Sequence, residues 1–458
     1  MASAQIATRR AGADDDAKTA PPEAPKQTAA EAKRRAPAAV PPFTIKDLRR
    51  AIPPECFVKS LPISLAYLAA DLLAVAALFA FSTQIPRLVS LIGPASPSSP
   101  SPSSAVALLL LPLARLAAGS LLWAAYWFLQ GAHLTGLWVT AHECGHGAFS
   151  DFPRLNDAVG FVIHSALLVP YFSWKHSHRR HHSNTGSAER DEVFVPAFSP
   201  ADRPLWHKGG YRFAHLAFQQ LLGWPSYLLF NASGRAYSGP RRASHFDPWS
   251  PIFSPRERLG VALSGAGVAA AAALLWRAAG VYGAAAVFKV YGVPYALVNF
   301  WLVMITFLQH THPSLPHYAD GEWDWLRGAL STVDRSYGPY LDRAFHHIAD
   351  THVAHHLFSG MPHYRAVEAT KAVKGALGDY YQRDGRNVFR AMWEDARDCH
   401  YAAEDEGGGA GGEGAGAGAA AAGRGEGEVA AAAAARGSIV TRGVLWYRSV
   451  AGAAAKAA

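Results

Sequence analysis

The chain has 458 residues, a mean hydropathy of +0.02 and 50% hydrophobic side chains, enough apolar material for two soluble domains or one large membrane-embedded domain. Its formal net charge is +8, with 43 Lys and Arg against 35 Asp and Glu. No base-reading module or repeat of aromatic and basic residues accompanies this charge. The composition therefore excludes a strongly acidic protein and favours a surface near anionic lipid headgroups over nucleic-acid binding.

Two apolar stretches follow the amino-terminal tail. Leu61 to Phe81 carries one charge, Asp71, and a helix of this length spans the roughly 30 Å hydrocarbon core of a bilayer. Leu116 to Ala141 has no formal charge and measures about 39 Å as a helix. Because this length exceeds the hydrocarbon core, we expect its last turns to project into water.

A second apolar pair lies further along the chain, at Leu259 to Trp276 and Val290 to Leu308, where Pro294 is expected to bend the helix. Four spans in two hairpins put the amino terminus, the loop after the second span and the carboxy-terminal part on one side. The two short connections carry 2 Lys and Arg each, against 11, 13 and 15 in the longer segments. The positive-inside rule therefore predicts that the longer segments face the cytosol.

The ends of the chain have a different composition. Residues 1–42 are rich in Ala, Pro and charge and are predicted to be a disordered tail, and 402–458 is predicted to be a low-complexity tail of Ala and Gly. A Pro and Ser linker runs from Ser96 to Ser104. Three scattered cysteines are too few for a disulfide framework, and Cys144 is interpreted as packing.

Three histidine clusters stand out. They are HECGH at His142 to His146, HRRHH at His178 to His182, and HVAHH at His352 to His356. Helical positions i, i+3 and i+4 share a face, so each cluster directs two or three imidazoles the same way. The predicted topology puts all three clusters on one side of the membrane, where eight histidines can converge. Isolated histidines are interpreted instead as ordinary core or surface residues: His133, His164, His207, His215, His245, His363 and His400.

The number and type of ligands indicate the metal. Imidazole suits Zn, Cu, Fe and Ni, but a structural zinc is satisfied by four ligands. Eight histidines fit two ions better than one, and two irons are the pair able to activate O₂. Carboxylates should orient the imidazoles from outside, with Glu143, Asp191 and Asp350 as candidates. Arg179 and Arg180 should then point away from the metal, toward phosphates or carboxylates.

At these residues the chain resembles the membrane fatty acid desaturase family, and most closely its plant and algal microsomal Δ12 (omega-6) oleate desaturases. The resemblance covers about Val40 to Tyr401, with a further short match in GVLWY at Gly443 to Tyr447. It is carried by LLVPYFSWKHSHRRHHSNTGSAERDEVFVP, FLQHTHPSLPHY, EWDWLRGALSTVDRSYG and DTHVAHHLFSGMPHYRAVEATKAVKGALGDYYQRDG. The related omega-3 enzymes typically carry HDCGH, HRTHH and HVIHH, which differ from the clusters of this chain.

The resemblance implies an all-α integral membrane protein. Residues 43–401 would form four transmembrane helices in two hairpins, with a cytosolic helical cap that holds a histidine-ligated diiron centre. A further ligand comes from QHTH, where His310 is favoured over His312. His176 is interpreted as a spectator, and Gly147 departs from the family pattern. The implied metal ligands, of which all except His310 are also assigned as catalytic, are His142, His146, His178, His181, His182, His310, His352, His355 and His356.

The resemblance also implies a reaction and partners. The expected enzyme is an oxidoreductase of the endoplasmic reticulum membrane that uses two Fe ions and O₂ to convert oleoyl chains on phosphatidylcholine into linoleoyl chains. The expected electron donors are cytochrome b5 and its NADH-dependent reductase, and a dimer with itself or with other desaturases is possible in this family. The histidine clusters and both termini are expected in the cytosol. The final residues AGAAAKAA lack the family's aromatic and basic retrieval signal.

Other functions are compatible with parts of this pattern. A hydroxylase, epoxygenase, conjugase or omega-3 desaturase would use the same diiron centre. A membrane metal transporter or a zinc-dependent receptor-type hydrolase belongs to a different class. Transporters place their polar ligands near the bilayer midplane, whereas these clusters are expected beyond the ends of the spans.

Overall fold

The computed structural model describes residues 34–93, 105–203, 205–405 and 443–450, with only the backbone for residues 105–109. Its described residues form mainly helices. They are α1 Ile45–Ala51, α2 Leu61–Ser90, α3 Ala105–His146, α4 Pro153–Ala166, α5 Tyr171–Asn184, α6 Gly209–Phe230, α7 Arg258–Tyr282, α8 Ala284–Val287, α9 Val293–His310, α10 Trp325–Ala329, α11 Pro339–Ala344, α12 His352–Leu357, α13 Ala366–Leu377 and α14 Val388–Asp398.

Three helical segments within the described residues are long and apolar enough to cross a membrane: Leu61–Ser90, Arg258–Tyr282 and Ala284–His310. They contain the predicted first, third and fourth spans. The predicted second span lies inside α3, a helix of 42 residues. Helices α4 and α5 meet at 108° and would count as a fourth span only if this bent pair crossed as one.

The long helices pack side by side and form the core. Helix α3 lies against both α2 and α9, and α6 packs along α9. Buried aromatic side chains fill the space between α3, α6 and α9, among them Trp138, Trp224 and Trp301. This core packs beside the ends of the apolar helices, and it supports the segments that follow them.

The predicted bend at Pro294 is a π-helical segment, Phe288–Gly292, between α8 and α9. Proline has no backbone N–H, so the carbonyl of Val290, four residues earlier, loses its helical donor. The hydroxyl of Tyr126 on α3 donates to this oxygen at 2.9 Å, and the indole of Trp127 donates to the carbonyl of Lys289 at 2.8 Å. Side chains of α3 therefore replace the hydrogen bonds that the irregular segment lacks.

The described residues are mainly helical, as expected, but the strict all-α expectation is wrong because they also form two small sheets. Strands β1 Pro316–Tyr318, β5 Val444–Arg448 and β4 Tyr401–Ala403 form an antiparallel sheet in the order β1-β5-β4. Strands β2 Asp334–Arg335 and β3 Arg383–Asp384 pair in parallel. These strands are two to five residues long, and they pair segments that are distant in the sequence.

The described parts of both predicted tails contact other parts of the protein. The amide of Ala36 donates to the carbonyl of Ser314 at 3.0 Å, and Arg35 pairs with Asp405, so residues 34–42 contact the body of the protein. In the carboxy-terminal tail, β5 buries Leu445 in the three-stranded sheet. The other residues of the two tails, and the predicted linker at Ser96 to Ser104, lie outside the described residues.

A buried ion network braces the small parallel sheet. Arg335 is fully buried, and its guanidinium donates to Asp384 and, at 2.7 Å, to Asp395. Arg386 donates to the same two carboxylates at 2.7 Å each. Because buried charges are tolerated only when paired, each arginine is needed to balance the two aspartates.

We expect Arg335→Met to destabilise the protein by about 3–5 kcal/mol, because it leaves two buried carboxylates to be balanced by Arg386 alone. Thermal unfolding of the detergent-purified protein, followed by tryptophan fluorescence, measures the loss. Arg390→Met is the matched control, since the Arg390 side chain is 66% exposed and pairs with Glu394 at the surface. An equal loss of stability in both variants would contradict the assigned role of Arg335.

Candidate metal centre

The first histidine cluster lies at the end of α3. His142 and His146 are one turn apart in its last turns, and the helix ends at Gly147, which has φ of +71°. The amide of Ala148 donates back to the carbonyl of Glu143 at 2.9 Å, which closes the helix end. A left-handed residue is a common helix terminator and glycine adopts it without strain. Gly147 therefore ends α3 directly after its second histidine.

The second cluster lies on α5, which turns back sharply after α4. His178, His181 and His182 share one face of this helix and approach the end of α3. The two arginines between them point the other way, as predicted. Arg180 donates to the carboxylate of Glu257 at 2.5 Å, and Arg179 lies 3.4 Å from it.

The third cluster forms α12, a short helix held at its first turn by Asp334. One carboxylate oxygen of Asp334 accepts from the backbone N–H of Val353 at 2.7 Å, and the other accepts from the hydroxyl of Tyr381 at 2.7 Å. Burial raises the pKa of Asp334 to about 7. A short helix needs such an anchor, because its first N–H groups have no partner within the helix.

The nine predicted ligands converge into two adjacent sets. Five of them have one ligand atom each within 4.8 Å of one another and are called the first histidine group: His142, His146, His178, His182 and His355. The second histidine group contains His181, His310 and His356, within the same limit, together with His352. The Nε2 atom of His352 lies 3.2 Å from Nε2 of both His310 and His356. The rings of His182 and His356 stack at 4.2 Å between centroids and join the two groups.

Hydrogen bonds on the outer ring nitrogens fix the tautomers of the second histidine group. The Nδ1 of His181 donates to Asp191 at 2.6 Å, that of His352 to the carbonyl of Ile348 at 3.0 Å, and that of His356 to the Thr185 hydroxyl at 3.2 Å. Each of these three rings thus carries a proton on Nδ1. The Nε2 lone pairs of these rings all face a common point, an arrangement that a cation stabilises.

Burial favours the neutral form of His352, His355 and His356, which is the form that binds metal. It lowers the pKa of His352 to about 3, and it holds the pKa values of His355 and His356 well below their usual range, with neighbouring histidines adding to the effect. Neutral rings with converging lone pairs fit a site for two cations of the late first transition row.

Two of the three carboxylates proposed to orient the imidazoles lie beside a ligand, and the third does not. Of the proposed orienting carboxylates, Asp191 contacts a ligand directly, and Glu143 lies 3.5 Å from Nδ1 of His142. The assignment of Asp350 is wrong, because its carboxylate binds Nδ1 of His347 at 2.9 Å instead. The spectator interpretation of His176 agrees with its position beside Glu257, at 3.3 Å.

The choice between His310 and His312 follows from their neighbours. His310 ends α9 inside the second histidine group, whereas Nε2 of His312 lies 3.5 Å from Asp384 in the buried ion network. His312, Asp384 and Asp395 could also hold a metal ion by distance alone. Their carboxylates are already balanced by Arg335 and Arg386, so the cluster functions as an ion network.

Comparison with known proteins gives the family. The model of the fatty acid desaturase family matches residues 121–386, which include both histidine groups. The chain belongs to the fatty acid desaturase family. A second family model, described as a domain of unknown function, matches residues 2–80.

Several plant proteins are similar to this desaturase over most of their length. A Delta(12)-acyl-lipid-desaturase of Punica granatum is 52% identical, over 82% of this chain and 90% of the relative. An endoplasmic reticulum omega-6 fatty acid desaturase of Brassica juncea is 50% identical, over 84% and 94%. An oleoyl-12-hydroxylase of Ricinus communis is 49% identical, over 82% and 90%.

A cavity of about 270 Å³ opens onto the two histidine groups of this desaturase. His142 and His178 of the first group line it, as do His181, His310 and His352 of the second. The rest of the wall near the histidines is mainly apolar, with a few threonines such as Thr306. Its apolar residues come from α3, α5, α6 and α9 and are Trp138, Val139, Trp174, Trp224, Leu302, Val303 and Phe307. A slot of this composition suits a hydrocarbon chain.

We expect His310→Ala to lower the iron bound per folded chain from about two to about one, because the second histidine group loses the ring on which its other nitrogens converge. His312→Ala should keep both irons in the fraction that folds. Plasma mass spectrometry of monodisperse protein measures the ratio. Full iron in the His310 variant, with loss in the His312 variant, would reverse the assignment.

We expect Asp191→Asn to weaken iron binding by about 10- to 100-fold, because the amide is a poorer acceptor for the Nδ1 proton of His181. Iron retained after dialysis against graded chelator concentrations gives the affinity. Asp350→Asn is the matched control, since its carboxylate contacts only His347 among the histidines. Equal losses of affinity in both variants would contradict the role of Asp191.

Proposed function

We propose that this desaturase inserts a cis double bond at Δ12 of oleoyl chains carried on phosphatidylcholine, giving linoleoyl chains. The observation that supports this most directly is the apolar cavity whose wall includes histidines of both groups. The names of the relatives from Punica granatum and Brassica juncea agree with it. All nine residues proposed as metal ligands lie in the two histidine groups. Eight of them, all except His310, are also assigned catalytic roles.

The two histidine groups fit a pair of iron ions, one held by five imidazoles and the other by four. When bound, the irons supply O₂-dependent oxidation that removes one hydrogen from each of two neighbouring methylenes, with two electrons and two protons completing the reduction of O₂ to water. The fit rests on the donor set, because neutral imidazole suits iron and the four-nitrogen group leaves room for a further ligand.

The protein itself must position a substrate that has no polar group near the reacting carbons. Rigid aromatic walls can do this. The ring of Trp174 stacks on His178 at 4.6 Å, and Trp138 stacks on His142 at 5.7 Å and meets Trp224 edge to face at 5.9 Å. We assign these tryptophans to holding one segment of the acyl chain beside the histidines and to excluding water from it.

We further propose that the desaturase crosses the endoplasmic reticulum membrane four times, through α2, α3, α7 and α8–α9. The histidine groups and both termini would then face the cytosol, where cytochrome b5 and its NADH-dependent reductase supply electrons. The apolar lengths of α2, α7 and α8–α9, the 42-residue length of α3 and the name of the relative from Brassica juncea support this arrangement. Assembly into homodimers or mixed dimers with other desaturases belongs to the same proposal.

Expression in a yeast that makes no polyunsaturated fatty acids tests the reaction. We expect linoleate in its phospholipids by gas chromatography, none from His142→Ala, and an unchanged yield from His207→Ala, an exposed histidine outside both groups. All variants should be present in membranes at equal amounts by immunoblot. A hydroxy fatty acid as the main product would overturn desaturation in favour of the activity named for the relative from Ricinus communis.

A further inference from the structure

One corner of the cavity carries a positive charge that forms no ion pair among the described residues, although Asp202 attracts it from a longer distance. Arg203 lines this corner, and its guanidinium lies 5.0 Å from the ring centroid of Trp206. Among the described residues, no carboxylate lies within ion-pair distance of this guanidinium. Burial lowers the pKa of Arg203, so holding the charge there is costly without a counter-ion. The rest of the cavity wall suits a hydrocarbon chain, so an arginine in this corner indicates a binding site for an anion.

Two polar side chains of α6 face the same corner. His215 lines the cavity with its ring 4.6 Å from that of Trp206, and it is close enough to Arg203 for the guanidinium to lower its pKa further than burial does alone. Gln219 follows one turn later, and its buried amide nitrogen has no hydrogen-bond partner among the described residues. Residues i and i+4 share a helix face, so the corner offers aligned donors.

The corner opens where α6 is apolar on its outer side. Phe218 lines the cavity and is nevertheless 54% exposed, so it lies at the opening. Its neighbours Phe213, Leu221 and Leu222 are also exposed large apolar side chains. Such a face is stable against lipid rather than water. A ligand entering here arrives from the bilayer, with its charged part near the surface and its hydrocarbon toward the histidines.

We propose that Arg203 and His215 bind the phosphodiester of the glycerophospholipid that carries the acyl chain, while Gln219 donates to the ester carbonyl. The proposal rests on the proposed function and deepens it by assigning residues to the recognition of the lipid carrier. A phosphate supplies the missing anion for Arg203, and guanidinium is well suited to phosphate oxygens. The ester follows the phosphate by a few bonds, as Gln219 follows His215 by one helical turn. The phosphate would then be bound at the opening, and the chain beyond the ester would extend toward the histidine groups.

Steady-state kinetics in nanodiscs with cytochrome b5, its reductase and NADH test the subsite. The oleoyl chain is supplied on phosphatidylcholine, on phosphate-free diacylglycerol or as the coenzyme A thioester. We expect Arg203→Gln to raise KM for oleoyl-phosphatidylcholine about 10-fold with little change in kcat, because a charge-assisted contact made in the bound lipid is lost. Turnover of oleoyl-diacylglycerol should not change, and Arg203→Lys should restore part of the affinity.

Arg241→Gln is the matched control, because this exposed arginine pairs with Asp247 and lies outside the cavity. A second measurement is independent of turnover: the amount of phosphatidylcholine that stays with the purified protein after detergent washing, by mass spectrometry. We expect Arg203→Gln to lower this amount at least 3-fold and Arg241→Gln to leave it unchanged.

Unchanged KM and unchanged lipid retention in Arg203→Gln would overturn the subsite while leaving the desaturase reaction intact. An effect confined to the coenzyme A thioester would overturn the assignment to a lipid and transfer the phosphate contact to that carrier. If the wild-type protein makes no linoleoyl product on any carrier, the proposed function fails, and the retention measurement alone then supports or overturns the subsite.

Discussion

The structure depends on gathering nine imidazoles into two adjacent groups. Their Nε2 atoms approach one another as closely as 2.9 Å, and wherever both nitrogens carry lone pairs a cation between them removes the repulsion. The rings of His181, His356 and His352 are held by hydrogen bonds on their outer nitrogens, to Asp191, Thr185 and the carbonyl of Ile348. Metal affinity in such a site reflects how well these outer bonds resist rotation of each ring. The surrounding fold must therefore supply the free energy needed to bring the rings together, and metal binding offsets this free energy.

The need to bring the histidines together explains where several helices end, which apolar composition alone does not explain. Helix α3 extends to His146 and ends at Gly147, so its two ligands lie beyond the apolar stretch. Helix α9 ends at His310, and side chains of α3 satisfy its irregular start. The two-residue strand β2 has a double role. Asp334 anchors the short helix α12, while the next residue, Arg335, joins the buried ion network. Helix, strand and ion network together position the third cluster against the first two.

Much of the fold and of the candidate site could be predicted from the sequence. The features that could not be predicted have physical causes. Apolar runs predict the long helices, and i, i+3, i+4 spacing predicts which histidines share a face, because both follow from helical periodicity. The pairing of ligands into five and four depends on tertiary packing and leaves no local signal. Asp350 precedes His352 by two residues, yet the turn before α12 directs it to His347. The carbonyl of Ile348 is a backbone group that no residue type reveals, and β5 lies after a long stretch of Ala and Gly.

The central claim is that two adjacent all-histidine groups each hold one iron. X-ray absorption spectroscopy at the iron edge of the metal-loaded protein, combined with its iron content, tests this most directly. The account predicts about two irons per chain, each with a first shell of light atoms and strong outer-shell scattering from imidazole carbons. One iron per chain, a sulfur shell from cysteine, or a shell lacking the imidazole signature would contradict it.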